Sequence, residues 1–126
     1  MKQLVAAFPN QLREALSIGQ SYTFTTAKRS FSQVMLTGLG GSGIGGSIIQ
    51  NFVFDKLSIP FSVNKDYHLP ASVGKDTLLI VSSYSGNTEE TLMAMQQALK
   101  AQATVVCVTS GGKVAEIAKK KGLDCI

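Results

Sequence analysis

Short apolar runs and helix-like apolar spacings alternate along most of this chain. Five stretches are rich in β-branched and apolar residues and are bounded by glycine, proline or polar residues, which predicts strands at 33–37, 60–65, 77–83, 104–109 and 123–126. Apolar residues at helical spacing lie between them and predict helices at 43–54, 87–100 and 114–121. The run 78–81 is apolar on both faces, which is typical of a central strand in a parallel sheet.

The order of these elements, β-α-β-β-α-β-α-β, predicts an α/β fold. We expect a doubly wound, mainly parallel, five-stranded sheet of the flavodoxin-like kind, flanked by helices. Before it, residues 2–18 predict an amphipathic helix that Pro9 breaks and Gly19 ends. The chain thus divides into an N-terminal helix and connection, 1–32, and a sheet domain, 33–126. Because the chain stops inside its last strand, we expect it to be the front part of a longer protein.

Composition narrows the classes of function. With 126 residues, of which 44% are apolar, the chain is long enough for one core and too short for two domains. No apolar run approaches the roughly 20 residues of a membrane-spanning helix, and no secretory signal is visible, so we expect a cytoplasmic location and no membrane partner. The net charge is +4, yet no basic stripe is interleaved with aromatic residues, so nucleic acid is not an expected partner. Cys107 and Cys125 lack a CxxC spacing, which predicts reduced thiols and no metal site.

A glycine-rich loop, GLGGSGIGG at 38–46, joins the first strand of the sheet to its helix. Glycines let a ligand approach the backbone N–H groups, and the start of a helix favours an anion. The same loop fits the dinucleotide fingerprint GxGxxG through Gly38, Gly40 and Gly43, and Asp66 lies near the place of its acidic residue. The loop therefore predicts an anion site but leaves open whether the ligand is a phosphosugar or a dinucleotide.

A second loop, SSYSGNT at 82–88, follows the most apolar strand and precedes a helix. Its hydroxyls can each donate a charge-assisted hydrogen bond to a phosphate oxygen. Parallel strands end at the same edge of a sheet, so both loops face one crevice. This pair of loops favours a phosphate dianion.

A simpler interpretation is that the second loop only caps its helix. Ser85 or Asn87 could cap, and Asn87 with Glu90 has the spacing of a capping box. One polar residue suffices for a cap, whereas this loop has five polar residues within six positions. We therefore favour ligand binding, with capping as the alternative.

These residues resemble a known family. The loop 38–46, the string SYSGNTEET at 83–91 and TSGG at 109–112 are similar to the SIS domain of bifunctional phosphoglucose/phosphomannose isomerases. KDYHLP at 65–70 also matches that family. The resemblance covers nearly the whole chain.

The resemblance implies a function and a set of site residues. It implies the interconversion of glucose 6-phosphate or mannose 6-phosphate with fructose 6-phosphate, by a homodimer and without a cofactor. Gly41 and Ser42 would line the hexose 6-phosphate, and Ser83, Ser85 and Thr88 would hold its phosphate. The resemblance also places the proton-transfer groups beyond residue 126, so we expect no catalytic residue here and no activity from this chain alone.

Other residues and functions are weaker candidates. Glu89 and Glu90 suit the first turn of a helix for electrostatic reasons alone, and His68 has no partner carboxylate in a recognised motif. Lys65 and Asp66 are expected to meet neighbours or solvent. Two alternatives to the isomerase stay open: a non-catalytic sugar-phosphate sensor, although no DNA-binding segment is visible before residue 33, and an NAD-binding Rossmann domain.

Overall fold

The computed structural model describes residues 1–26 and 28–126 and forms an α/β sandwich. Its elements, in chain order, are α1 (Lys2–Ser21), β1 (Gln33–Thr37), α2 (Gly40–Val53), β2 (Phe61–Asn64), β3 (Thr77–Ser82), α3 (Glu89–Lys100), β4 (Thr104–Val108), α4 (Gly112–Lys121) and β5 (Asp124–Cys125). The predicted α/β class is confirmed.

The five strands form one sheet in the order β2-β1-β3-β4-β5, and every neighbouring pair is parallel. The chain leaves β1 for β2 on one side and returns to β3 on the other. Strand order therefore reverses between β1 and β3. In open α/β sheets the crevice beyond the carboxyl ends of two such strands is where ligands bind.

The core lies between the central strands and the helices that cover them. Leu79 and Val81 of β3 are fully buried, as are Met95 of α3 and Val114 of α4. Helix α3 buries residues at positions 91, 94, 95 and 98, the spacing of one helical face. These contacts fix α3 against β3 and hence fix the loop that joins them.

Helix α1 differs from its prediction because it is continuous through Pro9 and ends at Ser21 rather than at Gly19. A proline removes one backbone hydrogen bond, and the flanking alanine, leucine, arginine and glutamate residues are strong helix formers that sustain the helix on either side. At the C-terminal end, the backbone N–H of Tyr22 and the hydroxyl of Ser21 both donate to the carbonyl of Ile18, at 3.1 Å each. These bonds close the helix beyond the glycine.

Two helices present apolar side chains to solvent. None of the twenty residues of α1, all of which the structure describes, is buried. Its exposed apolar stripe consists of Leu4, Val5, Phe8, Leu12 and Leu16. Helix α2 exposes Ile44, Ile48, Ile49 and Phe52. Patches of this kind mark surfaces that contact another protein surface.

Across the described residues, no helix has both the length and the apolarity needed to cross a membrane.

The connection after α1 is tied to the last strand by Asp124, which is 2% exposed. Its carboxylate accepts hydrogen bonds from the backbone N–H of Thr25 at 2.8 Å, from that of Thr26 at 2.7 Å and from both threonine hydroxyls. The hydroxyl of Tyr22 donates to the same carboxylate at 3.2 Å. These donors, the Thr25 N–H foremost, hold the pKa of Asp124 well below its usual range.

We predict that Asp124→Asn destabilises the fold, because an amide cannot accept all of these bonds and turns its own N–H groups toward donors. The lowered pKa means that the carboxylate stabilises the fold fully above its unfolded-state pKa of about 3.9 and does so less as pH falls below that value. Urea unfolding at pH 7 and pH 3 measures both effects. The gap between wild type and variant is expected to be large at pH 7 and to narrow at pH 3. The exposed Asp55→Asn serves as a control, with a change within about 0.5 kcal/mol. Equal stability of Asp124→Asn and wild type at pH 7 contradicts the prediction.

Candidate functional site

The two predicted loops meet at the carboxyl edge of the sheet, at the point where strand order reverses. A Cβ atom added to Gly38, directly after β1, would lie 2.8 Å from the carbonyl oxygen of Ser82 and 3.1 Å from Cβ of Ser42. Only a glycine fits between these atoms. The end of β1, the first turn of α2 and the end of β3 are therefore in contact.

Gly41 and Ser42 are the second and third residues of α2, whose N-cap residue, Leu39, makes no side-chain cap hydrogen bond. The first backbone N–H groups of a helix have no partner within the helix, so they remain available here. Gly40 needs to be glycine because its φ is +52°. At Gly41, by contrast, an added Cβ would meet no atom within 4 Å. The space next to Gly41 is open to a ligand.

Ser83 and Thr88, from the second loop, share a hydrogen bond of 3.1 Å between their hydroxyl oxygens. The oxygen of Ser83 also accepts the backbone N–H of Gly86 at 3.1 Å, and Ser83 is only 3% exposed. A hydroxyl carries one proton. If Ser83 gives its proton to Thr88, the proton of the more exposed Thr88 is free for a ligand. Ser83 thus lies behind Thr88 and orients it.

Ser85 lies at the exposed tip of the same loop. Its hydroxyl oxygen accepts the backbone N–H of Asn87 at 3.2 Å, which leaves its proton free to donate. Ser85 therefore has a proton free to donate, as does Thr88 when Ser83 donates to it.

The interpretation that Ser85 or Asn87 caps α3 is wrong. The N-cap residue of α3 is Thr88, and it makes no side-chain cap hydrogen bond. The side-chain oxygen of Asn87 instead accepts the backbone N–H of Lys113, the second residue of α4, at 3.1 Å. Helix α4 is thus capped from the neighbouring loop, whereas the first turns of α2 and α3 stay open at the crevice.

The loop after β4 holds the second loop in place. The backbone N–H of Ser110 donates to the carbonyl of Tyr84 at 3.1 Å, and that of Val114 donates to the carbonyl of Gly86 at 3.0 Å. Gly86 has a φ of +68°, and a Cβ there would lie 1.8 Å from the carbonyl oxygen of Gly111. The two loops therefore interlock, and this contact accounts for the glycine at position 86.

The sequence patterns did not point to one polar group at this edge, the hydroxyl of Thr91. The hydroxyl oxygen of Thr91, the third residue of α3, is buried without a hydrogen-bond partner among the described residues. Buried polar atoms are hydrogen-bonded in the great majority of cases, so this hydroxyl is an exception close to the start of the helix. The only sequence feature that could have drawn attention to Thr91 is its position at the end of the string SYSGNTEET.

A cavity of about 550 Å³ opens at the carboxyl edge, between the end of α1 and the loops after β1, β3 and β4. Ser42 and Tyr84 line it together with Thr109 and Ser110. A second cavity, of about 630 Å³, lies at the opposite edge, between the end of α2 and the start of β2. Ligands of open α/β sheets bind at the carboxyl edge, so we assign the site to the first cavity and the crevice beside it.

The segment after β2 packs along α3 and contains His68, one of the weaker candidates. The side-chain amide of Gln97, on α3, donates to the carbonyl of Tyr67 at 2.6 Å, and its oxygen accepts the N–H of Leu69 at 3.1 Å. Burial and the nearby carboxylates of Glu90 and Glu89 raise the pKa of Tyr67. Glu90 thus lies close to Tyr67, whereas His68 is exposed.

The cysteines belong to the sheet rather than to the site. Cys107 and Cys125 are register partners on β4 and β5, and both thiols are free. Burial raises the pKa of Cys107 to about 12, so its thiol is protonated at neutral pH. No group of three or more histidine, cysteine, aspartate or glutamate residues within 1–26 and 28–126 is arranged to hold a metal ion.

Known proteins share this sequence and this fold. A bifunctional phosphoglucose/phosphomannose isomerase of Caldicellulosiruptor bescii is 47% identical over all 126 residues, which cover 37% of that protein. The protein of the same name from Thermoplasma acidophilum is 44% identical over 97 residues, 77% of this chain and 29% of the relative. The chain therefore spans about a third of the length of the curated relatives that it matches.

Solved structures show the same fold at lower identity. The tagatose-6-phosphate ketose/aldose isomerase of Escherichia coli is 21% identical, with a TM-score of 0.63 over 99% of this chain and 33% of its own. A protein of Clostridium difficile 630 assigned as a phosphosugar isomerase is 22% identical, with a TM-score of 0.75 over 94% of this chain and 34% of its own. The SIS domain family matches residues 29–122, most of the chain and both loops of the site. Together with the 47% identity over its whole length, this match shows that the chain belongs to the SIS domain family.

Proposed function

We propose that this chain is the sugar-phosphate-binding domain of an aldose–ketose isomerase that interconverts glucose 6-phosphate or mannose 6-phosphate with fructose 6-phosphate. One observation supports this most. Two helices, α2 and α3, begin at the reversal of strand order without side-chain caps, and the hydroxyls of Ser85 and Thr88 lie in the loop that leads into α3. The names of the relatives give the substrate class.

A phosphate dianion suits this arrangement for electrostatic reasons. Each helix N-terminus carries roughly half a positive elementary charge and several unpaired N–H donors. Charge-assisted hydrogen bonds from the hydroxyls contribute about 1.5–3 kcal/mol each. Gly41 and Ser42 would contact the ligand from α2, while Ser85 and Thr88, with Ser83 behind them, would hold its phosphate from α3.

The chemical step needs groups that we place outside this chain. Aldose–ketose isomerisation moves a proton between neighbouring carbons through an enediolate, so it requires a base and a group that stabilises the oxyanion. The glycine and hydroxyl residues of the crevice are not bases at neutral pH. We propose that residues 33–126 supply binding, that 1–32 form a helical extension, and that the remainder of the relatives' length corresponds to the part that supplies proton transfer.

Removal of two outward hydroxyls tests the proposal. Fructose 6-phosphate is expected to raise the melting temperature of the wild-type protein, by the equivalent of about 2.7 kcal/mol at a hundredfold excess over Kd. Ser85→Ala combined with Thr88→Ala removes two charge-assisted hydrogen bonds, about 3 kcal/mol or more, so Kd rises at least about a hundredfold and the shift disappears. Differential scanning fluorimetry and calorimetric titration measure both.

Ser58→Ala, at an exposed position near the opposite edge of the sheet, is the control and keeps the full shift. A double variant that binds fructose 6-phosphate like the wild type excludes the proposed site. Saturable NADH binding that fructose 6-phosphate fails to displace would favour the dinucleotide alternative instead.

Gly41→Ala separates binding from stability. The protein itself leaves room for the added methyl group, and alanine is a better helix former than glycine, so the ligand-free variant should be as stable as the wild type or up to about 1 kcal/mol more stable. The methyl group would occupy ligand space, so Kd for fructose 6-phosphate should rise about tenfold or more. Thermal unfolding and titration check the two effects. Unchanged affinity contradicts the assignment of Gly41 to the site.

We also propose that the complete protein is a cytoplasmic homodimer in which the apolar stripe of α1 contributes to the interface. The stripe is exposed along the whole helix, which supports a partner surface there. Multi-angle light scattering should give twice the mass of one chain. Leu12→Glu should shift the protein toward monomers, whereas Gln11→Glu adds the same charge beside the stripe and should leave the dimer intact. A wild-type protein that is monomeric at micromolar concentration rules out the dimer.

A further inference from the structure

Lys65 lies at the same edge of the sheet as the candidate site, directly after β2. Its side chain extends over the first turn of α2: its Cε atom lies 3.3 Å from the position that a Cβ of Gly43 would occupy. Gly43 is the fourth residue of α2 and closes the loop that contains Gly41 and Ser42. The carbon that carries the ammonium group is thus packed against the N-terminal turn of the helix.

No carboxylate of the described residues forms an ion pair with Lys65. The ion pairs in that part of the chain are Arg29 with Asp76 and Lys56 with Asp55. The nearest acid in sequence, Asp66, accepts the backbone N–H of its neighbour Tyr67 at 2.6 Å. The ammonium group of Lys65 therefore lacks a protein counter-ion within this region.

This placement is electrostatically unfavourable in the absence of a ligand. A helix N-terminus favours anions and disfavours a cation. Two acids, Glu89 and Glu90, also lie in the first turn of α3 and offset the positive end of that helix. An anion bound between the two helices would need a cation to balance those acids, and Lys65 is placed to provide it.

We propose that Lys65 is a binding residue for the phosphate group of the substrate and supplies the positive charge of the crevice. The inference rests on the proposed function, because it takes the crevice to be the phosphate site. It adds a third strand end, that of β2, to the two loops that the glycine and hydroxyl motifs mark. Lys65 donates from the α2 side while Ser85 and Thr88 donate from the α3 side.

If the proposal is right, removing the charge of Lys65 should weaken ligand binding without lowering the stability of the ligand-free protein. In Lys65→Met the alkyl chain over Gly43 is largely kept and the charge is lost, so the melting temperature without ligand should stay the same or rise. Kd for fructose 6-phosphate and for inorganic phosphate should increase about tenfold or more, since a charge-assisted contact is lost. Raising the salt from 50 mM to 500 mM should narrow the difference between variant and wild type, because salt screens the charge.

Two further variants separate this role from others. Lys65→Arg keeps the charge and should bind within a few-fold of the wild type. Lys113→Met removes a lysine at the same edge, at the start of α4 on the opposite flank of the crevice, and should change Kd less than threefold. If Lys113→Met weakens binding as much as Lys65→Met does, the effect is the general field of the protein and the specific role is overturned.

The remaining outcomes are also decisive. A Lys65→Met protein that binds phosphate like the wild type, while Ser85→Ala with Thr88→Ala does not bind, overturns the role of Lys65 and leaves the proposed function intact. If both variants bind like the wild type, the proposed function itself fails. A lower melting temperature of ligand-free Lys65→Met, with Lys65→Arg also impaired in binding, would show that the lysine is structural.

Discussion

Unpaired backbone N–H groups at one edge of the sheet are the constraint around which this domain is organised. Every α-helix begins with donors that the helix cannot satisfy, and a parallel sheet places all such helix starts at the carboxyl ends of its strands. In this domain the protein satisfies one of them itself, since Asn87 caps α4. The first turns of α2 and α3 have no side-chain cap and meet where strand order reverses.

The glycines are explained by this geometry in two different ways. Gly38 and Gly86 are required by the protein, because a side chain at either would collide with the carbonyl of a neighbouring loop. Gly41 has no such neighbour. A glycine that the fold does not require, next to free helix donors, is most simply explained by close approach of a ligand to the backbone. One glycine-rich loop thus contains positions that the fold requires to be glycine and a position that it does not.

Much of the fold was predictable from local patterns, and the differences have physical causes. The strand at 33–37 was predicted to the residue, because a continuous apolar run records burial directly. Helix starts were less accurate: α2 begins at Gly40 and α3 at Glu89, whereas 43 and 87 were predicted. Asn87 looked like a cap for its own helix, yet it bonds a residue 26 positions away, and no local pattern contains that information. The same holds for Asp124, whose partners are 98 to 102 residues distant. The site loops were visible because glycine and hydroxyl clusters are local, whereas Lys65 emerged only from its packing over Gly43.

The cap that Asn87 places on α4 connects ligand binding to a helix that does not border the crevice. The side-chain oxygen that accepts the N–H of Lys113 belongs to the residue directly before Thr88, so the geometry of the loop at 82–88 and that of the first turn of α4 are set together. A ligand that immobilises this loop would therefore also stabilise the first turn of α4. Amide hydrogens of α4 would then exchange more slowly when the crevice is occupied. An anion held between α2 and α3 would thereby tighten the far side of the sheet, where β4, α4 and β5 meet.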